Sequence, residues 1–276
     1  MRSIKECFLL LLLLGSAQAT QDTRFRKRDI KGEVAKDEEG LGDDKEGRRE
    51  LKGGGKRGRS GRDDDYYYYD DDAAYNPDTD TITLKITNLS FLQPFGPLFV
   101  MVHNADAIPL FTLGTEPSVN LQILAETGDP TPLAEVYANA EGVFFSGIYT
   151  EGSPWGGGAD IFITIPYLGD AFPYLTIAGM ALNTNDGFIA LNGIRIIPDL
   201  IVTGPMYDAG SENNDEDCRS VPGPACPQDS GNVRSGNGEG FVHVHRGFFG
   251  LNPDLPANRY DWKNPVMRVE LMDPFT

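Results

Sequence analysis

From Thr81 onward the chain is interrupted every few residues by Gly, Pro, Asn or Asp, and the stretches between are short, apolar and often alternating. Thr81–Thr87 (TITLKIT) alternates with period two, which places one side of a strand in a core and the other in solvent. Leu98–His103 (LFVMVH) is a more continuous apolar strand. Val143–Tyr149, Ala159–Pro166, Tyr174–Leu182, Phe188–Ile196, Glu239–His245 and Val266–Met272 read the same way, divided by turn residues. About eight short strands with so many turns favour an all-β antiparallel sandwich over a parallel α/β sheet. Two short helices are expected within it, one from Pro117-Ser118 to Glu126 and one over Thr131–Ala138. Each has a hydroxyl residue placed to cap it, and Gly-Asp-Pro at 128–130 closes the first.

The chain before this region is a different kind of polymer. Met1–Ala19 has a basic start, a short apolar core and an Ala-Gln-Ala end, the pattern of a secretory signal peptide. Residues 21–80 hold 14 Lys/Arg and 18 Asp/Glu with few aliphatic residues. Such a segment buries too little apolar surface to offset chain entropy, so residues 20–80 are expected to form a disordered charged linker. Arg24–Arg28 contains a dibasic processing signal, and the tyrosines Tyr66–Tyr69 lie between two aspartate triplets where sulfation is plausible chemistry. Residues 81–276 then form one domain, expected to be secreted and without a membrane-spanning segment.

Charge narrows the partners. The 81–276 region has eight Lys/Arg against 22 Asp/Glu, which argues against nucleic acid and for cations or basic surfaces. Cys218 and Cys226 bracket a turn-rich loop, CRSVPGPAC, and in an oxidising compartment they are expected to close a disulfide. Asn88-Leu89-Ser90 is a glycosylation sequon for a eukaryotic host.

Two groups of residues carry possible chemistry. Asp186 in an Asn-Asp-Gly turn, with Asp208 and Glu212 in YDAGSENNDED, would supply the oxygen ligands that Ca²⁺ takes if the two loops converge. If they do not, these are solvated turns capped by their own side chains. His243 and His245 lie two apart on a strand and face one way, suited to Zn²⁺ or Cu²⁺ if Asp261 or His103 supplies a third ligand. That second group is the basis of an alternative reading as a secreted metalloenzyme or redox protein. No G-x-S-x-G nucleophile elbow is present, and a non-enzymatic role is expected.

The order of motifs is more specific than any one of them. TITLKITNLSFLQPFGPLFVMVHN, LAETGDPTPLAE, NTNDGFIALNG, YDAGSENND, EGFVHVHRG and WKNPVMRVEL follow one another from Thr81 to Leu271. In this the chain resembles the spondin N-terminal (F-spondin) domain family, in a stand-alone microbial-type form. The resemblance implies a secreted β-sandwich related to C2 domains, with a calcium site in loops at one end. It implies Asp186, Asp208 and Glu212 as ligands, glutamate standing at 212 where animal members have aspartate. It also implies adhesion contacts with an extracellular-matrix or cell-surface protein or glycan. The animal pattern lacks the GFVHVHRG segment, so nothing is implied for His243 and His245.

Overall fold

A computed structural model describes Asn76 and residues 80–227, 230–231 and 233–272. The expected signal peptide, the expected processing site at Arg24–Arg28, the tyrosine run and all but two residues of the expected charged linker lie outside the described residues.

Strand β1 (Thr81–Asn88) buries every second residue, so Ile82, Leu84 and Ile86 enter the core while the threonines and Lys85 turn outward. It lies between β4 (Asp160–Pro166) and β10 (Met267–Met272), and β10 also pairs with β7 (Ile201–Gly204). The second sheet runs β3 (Val143–Tyr149), β2 (Phe95–His103), β5 (Tyr174–Ala181), β6 (Gly187–Arg195), β8 (Met206–Asp208) and β9 (His243–Val244). All pairings are antiparallel. The architecture is the all-β sandwich expected.

One apolar cluster fills the space between the sheets, joining Leu84 and Ile165 to Leu98, Val100, Ile177 and Ile189. A second lies on the other face of the six-stranded sheet, where Phe99, Met101 and Phe188 meet two helices. These are α1 (Val119–Thr127) and α2 (Thr131–Tyr137), which contribute Leu121, Leu124 and Leu133. Burial on both faces explains why β2 and β5 read as continuous apolar runs, whereas β1, half solvated, alternates. Each large aliphatic side chain so buried contributes about 1.5–3 kcal/mol.

Helix α1 is capped as expected, Ser118 Oγ accepting from Leu121 N at 3.2 Å, and Gly128 ends it with φ 72°. Helix α2 differs from expectation. No hydroxyl caps it; Asp129 Oδ1 takes the Thr131 N–H at 2.9 Å instead. The expected strand over Glu239–His245 shrinks to the two residues of β9, because the chain bends at Gly240 and Phe241, Gly240 N donating to Gly210 O and Val242 N to Thr115 O. A 3-10 turn at Gly169–Ala171 and one further helical turn, α3 (Ala257–Tyr260), complete the described elements.

Candidate metal centre

Strand register builds this site. Gly187 on β6 pairs with Asp208 on β8, and Asp208 pairs with His243 on β9. Asp186, one residue before Gly187, therefore comes beside Asp208 at the same rim of the sheet. Its main-chain oxygen accepts from Ala209 N at 3.1 Å. Its carboxylate Oδ2 accepts from Ser211 N at 2.7 Å, Ser211 Oγ at 3.1 Å and Glu212 N at 2.9 Å. The two acidic loops converge into one unit.

They are not solvated turns. Asn183, Thr184, Asn185 and Asp186 are all buried; Thr184 closes the turn on itself, and the other three are tied to distant parts of the chain. Asn183 bonds Leu92 O and Ala225 N, Thr184 bonds Ala181 O, and Asn185 donates to Asp215 Oδ1 at 3.1 Å. Asp215 also accepts from Ser220 Oγ and Ser235 Oγ, which links the turn to the disulfide loop. That disulfide joins Cys218 and Cys226, with Cα atoms 5.3 Å apart, as the sequence led one to expect. Gly210 lets the acidic loop turn: its φ is 69°, and a Cβ there would meet Phe241 O at 2.3 Å.

The electrostatics of the rim are unfavourable for anions. Asp186 is fully buried, its Oδ1 has no hydrogen-bond partner, and burial followed by the Asp208 charge raises its pKa to about 7. Asp208, equally buried, holds Gly210 N on Oδ1 at 2.7 Å and Asn214 Nδ2 on Oδ2 at 2.6 Å. Burial outweighs those bonds and lifts its pKa to about 6, the Glu239 charge adding to the effect. Glu212 is raised to about 8, by burial first and then by Glu126 and Asp186. Its carboxylate lies 3.5 Å from Arg234 Nε, and Arg234 also bonds Glu126 at 2.8 Å. The structure thus places Asp186 and Asp208 together and sets Glu212 against an arginine.

On the opposite side of Asp208 stand the histidines. His243 Nδ1 is 3.8 Å from Asp208 Oδ1 and His245 Nε2 is 3.7 Å from Asp208 Oδ2, so the two rings do share a face. Asp208, Glu239 and His243 each present one ligand atom, all within 4.8 Å of one another, an arrangement that could hold a metal ion. The expected third ligands are committed elsewhere. His103 uses Nδ1 on Asn104 O and Nε2 on Thr176 Oγ1, while Asp261 accepts Phe248 N and pairs with Lys263. Glu239 takes that place. Its period-two spacing from Phe241 and His243 was the available signal, although the backbone there bends.

Among the described residues no helix is long and apolar enough to cross a membrane. No protein-family model matches the sequence, and no curated protein matches it.

Proposed function

We propose that this chain is a secreted, non-enzymatic β-sandwich module of the spondin N-terminal type. Ca²⁺ held by Asp186, Asp208 and Glu212 clamps its loop end, and the module makes adhesion contacts with a matrix or cell-surface protein or glycan. The observation that carries the reading is the buried pair Asp186 and Asp208, with Asp186 Oδ1 lacking any donor. Two buried carboxylates side by side favour a hard divalent cation, which supplies charge and takes carboxylate and main-chain oxygens together. Glu212 would join by leaving Arg234, a modest step because Arg234 also has Glu126 as a partner.

Extracellular calcium sites bind at about 10⁻⁴–10⁻³ M. At about 1 mM free Ca²⁺ and a Kd near 0.1 mM, linkage adds roughly 1.4 kcal/mol of stability, which makes the ion a structural clamp. The test is thermal unfolding of the chelated full chain with Ca²⁺, Mg²⁺ or Zn²⁺ added back. A saturable rise with Ca²⁺ that disappears in Asp186→Asn is expected. Full calcium stabilisation retained in both Asp186→Asn and Asp208→Ala would overturn the assignment. Adhesion is tested separately, by binding of the calcium-loaded chain to extracellular-matrix preparations; binding indifferent to calcium removal would count against a clamped contact surface.

A further inference from the structure

We infer that the rim carries a second cation position, formed by Asp208, Glu239 and His243 and suited to a transition-type divalent ion such as Zn²⁺. The inference goes beyond the calcium reading and shares only Asp208 with it. Its ligand atoms are already gathered within 4.8 Å of one another. His243 sits directly across from Asp208 in the β8–β9 pairing, and its Nδ1 is buried without a hydrogen-bond partner. Glu239 is held over the site by its neighbours: Gly240 N donates to Gly210 O at 2.8 Å, and Gly238 packs so closely that a Cβ would meet Gly210 O at 2.4 Å. Being exposed, Glu239 is free to close the remaining distance.

An imidazole nitrogen among the ligands separates this position from the calcium site. Ca²⁺ takes oxygen almost exclusively, whereas Zn²⁺ binds histidine together with carboxylates in a four-coordinate site. Three protein ligands leave a fourth position, which opens toward solvent beside Glu239 and half-buried His243.

A separate observation comes from His245. It is 3 % exposed, and its Nε2 has no hydrogen-bond partner while aiming at Asp208 Oδ2. Gly247 N donates to Nδ1, so the neutral ring carries its proton on Nε2. His245 is therefore no ligand in this state. It is an N–H donor placed behind a ligating carboxylate, the kind of partner that orients metal ligands.

Calorimetric titration of the metal-stripped full chain with Zn²⁺, in about 1 mM Ca²⁺ to occupy the calcium site, tests the inference. Stoichiometric Zn²⁺ binding is expected, weakened about tenfold or more by His243→Ala and by Glu239→Gln, and little changed by Asp186→Asn. Co²⁺ in place of Zn²⁺ should give visible d–d absorption that His243→Ala removes. Absence of saturable Zn²⁺ binding, or affinity untouched by both ligand variants, overturns it. The two readings fail separately. Calcium stabilisation through Asp186 without zinc binding leaves only the clamp, and zinc binding through His243 without any calcium response leaves only this second position.

Discussion

His245 points Nε2 at Asp208 Oδ2 across 3.7 Å while its Nδ1 accepts the Gly247 N–H at 3.1 Å. A ring so placed cannot take a second proton without losing the Gly247 bond. Burial makes that cost larger still and depresses the pKa to about 3, with the neighbouring His243 and Arg246 acting in the same direction. We expect His245 to remain the neutral Nε2–H tautomer from about pH 4.5 to pH 8. Imidazole ¹⁵N shifts in long-range proton–nitrogen spectra report the tautomer directly. A His245 ring titrating near the ordinary histidine value would contradict this placement.

The carboxylates on the other side of Asp208 give the metal-free chain an unusual pH dependence. Asp186, Asp208 and Glu212 have folded pKa values of about 7, 6 and 8, all above those of the unfolded chain. Between the unfolded and folded values the native state holds more protons, so stability falls as pH rises through that range. His245 and His103, both lowered, oppose this only up to their unfolded value of 6.5. From about pH 7 to 8.5 the carboxylates act alone, and stability should decline by on the order of 1 kcal/mol per pH unit. Urea midpoints in chelator across that window measure it, and saturating Ca²⁺ should flatten the slope. Midpoints that rose with pH would mean the three groups are not desolvated together.

Much of this arrangement could be read before any coordinates, and the missing parts have physical causes. TITLKIT alternates because one face of β1 meets a core and the other meets water, so local pattern and tertiary burial coincide. The Cys218–Cys226 pair was likewise visible in a short motif, whereas the motifs named Asp186 and Asp208 but left open whether their loops meet, because the contact between them joins strands distant in sequence. Strands β7 and β8 were not, since Ile201–Gly204 and Met206–Asp208 are too short to show a period and are divided by Pro205. Glu239 escaped notice because a backbone bond between Gly240 and Gly210, distant in sequence, carries it to Asp208. His103 looked available as a ligand for the converse reason: Thr176, its partner, lies on another strand.

Glu216 holds the segment after β9 against the acidic loop. Its backbone is in the left-handed region at φ 54°, its side chain is 3 % exposed, and its two oxygens accept the N–H groups of Phe249 and Leu251. A glutamine there keeps the shape but turns an N–H₂ toward one of those donors, leaving a buried amide unpaired. We expect Glu216→Gln to cost about 1–3 kcal/mol and to speed hydrogen exchange at Phe249 and Leu251 more than in β1. Unchanged protection of those two amides would show that the segment is held by something else.

The sequon at Asn88 is the last case in which structure changes a sequence expectation. Asn88 is fully buried; its Nδ2 donates to Gln93 O at 2.8 Å and Trp155 O at 3.2 Å, and its Oδ1 accepts from Ser90 N and Oγ. A glycan would attach through that same nitrogen and would break its bonds to the main-chain oxygens of Gln93 and Trp155. The folded chain secreted from a glycosylating host is therefore expected to carry no glycan at Asn88, as intact mass would show. The accompanying variant separates burial from mere lack of modification. Asn88→Ala should destabilise by about 1–3 kcal/mol, because it strips partners from buried groups, whereas an exposed sequon asparagine would be replaced at little cost. A glycan found on Asn88 of the folded protein would mean that this turn opens far enough to release both bonds.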